Sequence, residues 1–74
     1  MAVENRFRVL LAEKEQREKR HIPLSEVARE TNISWKTLQG WANNQVTRYD
    51  APVIEALCRY LNCTVGDLIL FHPG

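Results

Sequence analysis

Lys36, Thr37, Gln39, Gly40 and Asn43 lie within one short stretch, and no Asp or Glu occurs anywhere between Ile33 and Tyr49. A Lys ammonium donates to guanine O6 and N7, a carboxamide pairs with adenine N6 and N7, and a Thr methyl touches the thymine methyl. The set therefore carries the groups that read base edges in a DNA major groove. Covalent chemistry is a different matter. The sequence offers no Ser/His/Asp arrangement, no paired carboxylates and no phosphate-binding glycine loop, so no enzyme is expected. Cys58, Cys63, His21 and His72 are the residues a zinc site would use, but the Cys spacing is C-x4-C and both His are distant. That pattern is weak for zinc, and Cys58 falls on an apolar helical stripe. Buried thiols are the expectation, with no metal and no cofactor.

These residues need a helix to present them. Ser34 is a good N-cap, and Leu38, Trp41 and Ala42 follow at helical spacing until Asn43 and Asn44 end the segment. On a wheel of about 100° per residue the three apolar residues centre the buried face. Lys36 then lies about 170° from that centre, Gly40 and Asn43 about 150°, Gln39 about 110° and Thr37 about 90°. The outward face holds a cation, two amides, a hydroxyl and a glycine, and no carboxylate. Gly40 costs about 1 kcal/mol relative to Ala in a helix interior. Two readings explain it: the helix sits deep in a groove, or another helix crosses there. Trp35, about 70° from the core centre, either lies on bases or sugar or folds back onto the core edge. Ser34, with the free first-turn amides and the positive helix end, favours a phosphate. Thr47 and Arg48, after the helix, are candidates for a second phosphate.

The remaining elements follow from the same periodicity. Phe7, Leu10 and Leu11 start a helix that runs to Arg20, with Glu13/Arg17 and Glu15/Lys19 as i,i+4 pairs, and His21, Ile22 and Pro23 break it. Pro23 fits the first position of a second helix, on which Leu24, Val27, Ala28 and Thr31 form the apolar stripe, and Asn32 suits a left-handed turn. Ala28 is small enough for close helix approach, Ile33 plugs the corner, and Leu38 and Trp41 bury the inner face. Residues 24–43 thus read as a helix-turn-helix. Gln45 to Tyr49 reads as a loop. Asp50 caps a fourth helix that has Pro52 in its first turn and carries Val53, Ile54, Leu57, Cys58 and Leu61. Thr64 and Asp67 resemble a capping box for a last short helix with Val65, Leu68 and Ile69 inward. Leu70 and Phe71 are left either as terminal core or as an exposed patch that pairs two chains. No period-two strand stands out, and the chain is expected to be all-α.

Composition sets the bounds on this picture. The chain has 74 residues, 45% hydrophobic and 26% charged, which fits one small globular domain spanning 1–74. A domain of that size buries only about 60% of its unfolded surface and has no room for an elaborate internal site. No apolar run exceeds four residues, so nothing crosses a bilayer. The first residues lack a secretory signal and the cysteines are too few for a disulfide scaffold, so a cytoplasmic location is expected. Net charge is +1, but its distribution is uneven: residues 33–49 carry two cations and no acid, while 50–74 carry one cation and three acids.

The segment IPLSEVARETNISWKTLQGWANNQVTRYDAPVIEALCRYLNCTVGDLI, roughly two thirds of the chain, resembles the DNA-binding domain of the Cro/CI (XRE) family of phage repressors and bacterial regulators. The likeness rests on EVA, TNIS at the turn, TLQGW, ANN, and LCRYLNCTVGDLI. It implies a five-helix lambda-repressor-like fold, double-stranded DNA as partner, and a third helix that reads the major groove. Carried over by position, Trp35, Lys36, Thr37 and Gly40 read bases, with Ser34, Asn43 and Asn44 near phosphates. The departures are Asn32 where Gly is usual, a bulky Trp35 where polar readers are common, a longer first helix, and Pro23-Leu24 where many relatives have Thr and Gln. The backbone contact of that Gln is not expected here. A sequence-specific transcriptional regulator, acting as a repressor and as a homodimer, is the resulting expectation. The rival from another class is a small helical protein-interaction module, antitoxin-like or adaptor, that never enters a groove.

Overall fold

The apolar residues that recur at helical spacing form five helices, and two four-residue strands close the ends. In chain order these are β1 (Ala2–Asn5), α1 (Phe7–Glu18), α2 (Leu24–Thr31), α3 (Trp35–Ala42), α4 (Ala51–Leu61), α5 (Val65–Leu68) and β2 (Ile69–His72). The structure is a computed structural model that describes residues 2–46 and 48–72. One cluster of buried side chains joins all five helices. Phe7, Leu10 and Leu11 come from α1, Val27 from α2, Leu38 and Trp41 from α3, Leu57 and Leu61 from α4, and Leu68 from α5, with Ile22 and Ile33 filling the connections.

Caps explain most of the boundaries. α2 ends at Asn32, which has φ 60 and returns its N–H to the Ala28 carbonyl. Asn44 (φ 54) follows α3 in the same conformation, and Asn62 (φ 55) follows α4. Asparagine tolerates this left-handed region because its short polar side chain bonds locally. α5 is opened by a complete capping box: the Asp67 N–H donates to Thr64 Oγ1 at 3.2 Å, and the Thr64 N–H donates to Asp67 Oδ2 at 3.1 Å. Pro23 precedes α2 as its N-cap instead of occupying the first helical position, and Asp50 stands at the N-cap of α4 without a side-chain bond.

Several details differ from the sequence reading. α1 stops at Glu18, two residues before the expected end, because Lys19 turns left-handed (φ 55) and the Lys19 and Arg20 amides bond back to the Gln16 and Glu15 carbonyls. That 6→1, 5→2 pattern is a Schellman closure. It redirects the charges. Lys14 pairs with Glu18 at 2.9 Å and Glu15 meets His21 Nδ1 at 2.9 Å, in place of the expected Glu13–Arg17 and Glu15–Lys19 pairs. Arg20 then clamps the start of α2, its two terminal nitrogens donating to Glu26 Oε1 at 2.8 Å and Oε2 at 2.6 Å. Val65, expected inward, is 54% exposed. Both cysteines are free and half-buried. Burial, with Cys58 beside it, pushes the Cys63 thiol up to about 11.

The strands were not expected. β1 and β2 pair antiparallel with Val3 opposite Phe71, Glu4 opposite Leu70 and Asn5 opposite Ile69. The Arg6 N–H continues the tie by donating to the Leu68 carbonyl at 2.7 Å. Leu70 is half-buried and Phe71 is exposed, and neither joins the buried cluster.

Three carboxylates sit below their usual range. Asp67 is lowered by the Thr64 N–H and hydroxyl, Glu18 first by its bond from Lys14, and Glu26 first by its bond from Arg20. A folded-state pKa below the unfolded one gives stability that is complete above the unfolded value and disappears as pH falls through the folded one. The melting midpoint should therefore hold from neutrality to about pH 5 and drop below it. Asp67→Ala should lower the neutral midpoint and shrink the acid drop. Melting curves across pH check both, and an unchanged acid limb in Asp67→Ala would remove the capping box as its source.

Candidate nucleic-acid interface

The rotational setting of α3 follows from two residues. Leu38 is fully buried and Trp41 is 2% exposed, its indole and the Tyr49 ring forming a T-shaped pair at a centroid distance of 5.4 Å and an interplanar angle of 87°. With those two fixed inward, Trp35, Lys36, Thr37, Gln39 and Asn43 are exposed and Gly40 and Ala42 are half-buried. The helical wheel drawn from the sequence has the same phase. Ser34 caps the helix as expected: its Oγ accepts the Thr37 N–H at 3.2 Å and donates to Thr37 Oγ1 at 2.8 Å.

α3 forms a ridge between two troughs. On one flank Lys36, Thr37 and Gly40 face Gln45, Val46 and Arg48 across a depression of about 260 Å³. On the other flank Trp35, Gln39 and Asn43 border a larger one of about 580 Å³, floored by Phe7, Leu11 and Ile22. Trp35 is 52% exposed and lines this second trough. A Cβ built on Gly40 would meet nothing within 4 Å. Among the described residues no neighbouring helix crosses there, so packing within the chain does not require the glycine.

The remaining candidates fall around the ridge. Arg48 is exposed, with Asp50 Oδ1 3.8 Å from its nearest nitrogen, too loose and too wet a pair to hold it. Thr47 lies outside the described residues. Asn44 has a role that spacing did not suggest. Its Oδ1 accepts from the Asn5 N–H at 3.1 Å and from Asn5 Nδ2 at 3.2 Å, while Asn5 Oδ1 accepts the Phe7 N–H at 3.0 Å. The pair ties β1 and the first turn of α1 to the end of α3, across 39 positions of sequence. Gln45 was also missed as a lining residue. Its N–H returns to the Gly40 carbonyl at 2.8 Å, closing α3, in a stretch whose lack of periodicity gives no local signal.

An exposed, capped, acid-free helix is thus set beside a second helix across a tight turn, and a family model for the Cro/C1-type HTH DNA-binding domain matches residues 6–74. The chain belongs to this family. No curated protein matches it. The described residues of this Cro/C1-type domain contain no helix long and apolar enough to cross a membrane. Nor do the described residues of this Cro/C1-type domain group three or more His, Cys, Asp or Glu side chains to hold a metal ion.

The open space at Gly40 gives a test with two opposed readouts. Gly40→Ala should raise stability by about 0.5–1 kcal/mol, because Ala suits a helix interior better and displaces nothing. The same variant should bind DNA more weakly. Chemical denaturation and a binding titration measure the two, and loss of stability on adding the methyl would show that the glycine serves the fold.

Proposed function

We propose that residues 1–74 act as one helix-turn-helix unit, a sequence-specific transcriptional regulator that reads double-stranded DNA through the major groove with residues 34–43. The observation that carries this reading is the exposed face of α3, which has no carboxylate and is held in phase by the burial of Leu38 and Trp41. An α-helix with side chains is about 10–12 Å across, and the groove is about 12 Å wide. Trp35, Lys36, Thr37, Gln39 and Gly40 are the base-reading set. Ser34, Asn43, Asn44, Thr47 and Arg48 position the phosphates. Repression is the mode proposed, since it needs nothing beyond occupancy of the operator. The reading places the protein in the cytoplasm and requires no catalysis, cofactor or small-molecule substrate.

A single module of this type buries only about 600–1,000 Å², so specific binding calls for two copies on half-sites about 10 bp apart. The homodimer is proposed to pair through surfaces other than α3. Val3 (47% exposed) and Phe71 (56%) stand directly opposite each other on the terminal ribbon, and Val65 on α5 is also exposed. Phe71→Glu should therefore lower the self-association constant, read by sedimentation, while leaving the melting curve in place. Unchanged association would move the pairing surface elsewhere.

Selection from a random duplex pool should yield an operator, and anisotropy titrations at several salt concentrations should show affinity falling steeply with salt. Lys36→Ala should weaken the operator by about 1–3 kcal/mol, whereas Arg48→Ala should weaken all duplexes alike. Equal losses on operator and random duplex for Lys36→Ala would remove its reader role. A chain that binds no duplex at low salt would favour the protein-interaction module instead.

A further inference from the structure

A helix seated in the major groove has a phosphate rail on each side. On the flank of Lys36 and Arg48 the cations are already assigned. The opposite trough, beside Trp35, Gln39 and Asn43, has none from α3 or from the start of α2, where Pro23 and Leu24 offer no polar side chain. One cation from another element does line it. Arg8, in the first turn of α1, is exposed and has no hydrogen bond or ion pair among the described residues. The Asn5–Asn44 bridge holds that first turn against the end of α3, where Asn43 is exposed on the same trough.

We propose that Arg8, with Asn43 across the trough, holds a phosphate of the DNA strand on the side of α3 away from Arg48. The proposal rests on the major-groove reading of α3 and adds an anchor from α1. The other charged groups of the trough lie at its far end. Glu15 is seven residues along α1, about 10 Å away at 1.5 Å per residue. Its Oε2 is engaged by the Ile22 N–H at 2.7 Å and by His21 Nδ1 at 2.9 Å, so the carboxylate is turned into the α1–α2 connection. Arg8 is free of that network. A guanidinium suits the role because its planar fork of donors matches phosphate oxygens.

The test compares Arg8→Ala, Arg8→Lys and Arg17→Ala in the full chain on the selected operator and on mixed-sequence duplex, over a range of salt. Arg17 is exposed on the same helix and lines neither trough, so it serves as the charge-matched control. Arg8→Ala should lose affinity by the same factor on both duplexes, and its slope of log K against log salt should become shallower by about 0.9, the value of one released phosphate contact. Arg8→Lys should keep the slope, Arg17→Ala should match the wild-type chain, and the melting curves should coincide. A wild-type slope in Arg8→Ala, or the same change in Arg17→Ala, overturns the Arg8 contact and leaves the α3 reading intact. Absence of duplex binding by the wild-type chain overturns both.

Discussion

The burial of Leu38 and Trp41 is the constraint on which the rest depends. Each large apolar side chain removed from water contributes about 1.5–3 kcal/mol, more than any polar contact an exposed residue of α3 makes within the chain. Rotating α3 by one residue, about 100°, would turn Trp35 and Gln39 inward and put Trp41 in solvent. That exchange is costly, so the helix has one phase. The face left outward is defined by exclusion, and its chemistry is free to answer to something other than folding. Ser34 and Asn44 close the two ends, and the turn at Asn32 fixes α3 against α2.

Charge is arranged around this face more than it is accumulated. The chain is nearly neutral, so no large field draws it to a polyanion. Instead, several acids are engaged within the chain: Glu15 with the His21 ring, Glu18 with Lys14 and Arg20, Glu26 with Arg20, and Glu55 with Arg59. Most of these pairs gather at the α1–α2 connection, where the bidentate Arg20–Glu26 contact also braces the start of the helix-turn-helix. Of the other cations, Arg8 and Lys36 line the troughs beside α3 without such a partner, and Arg48 does so with only a loose one. A nearly neutral chain arranged this way offers placed charges and no long-range field, which is what the proposed sequence-specific reading calls for.

What was legible in the sequence was local. Phe7/Leu10/Leu11, Leu38/Trp41 and Leu57/Leu61 repeat at the helical period, and Ser34 and the Thr64/Asp67 box mark starts, so five helices and the phase of α3 could be read from neighbours three and four residues apart. What was not legible was long-range or rare. The ribbon pairs residues almost a full chain length apart, and its strands, AVEN and ILFH, are too short and too irregular to show period two. The Asn5–Asn44 bridge joins two asparagines that look like ordinary turn residues when read singly. Lys19 adopts a left-handed conformation that a lysine seldom takes, so nothing near it announced that α1 would stop. The troughs themselves arise only when α1, α3 and the following loop are brought together.

The use of glycine in this fold supports the same conclusion from the inside. At four helix ends the backbone enters the left-handed region that glycine occupies most easily, and none of the four is glycine: Lys19, Asn32, Asn44 and Asn62. At Gly40 the backbone is helical, where glycine is a poor choice, and no neighbour demands its small size. Folding alone would favour the opposite arrangement, glycine at the turns and alanine on the helix. Asn44 has a compensation visible within the chain, its bond to Asn5. Gly40 has none. Gly40 thus costs stability and meets no packing need among the described residues, and the missing Cβ leaves the outward surface of α3 open to close approach, which is what the proposed reading of this face uses.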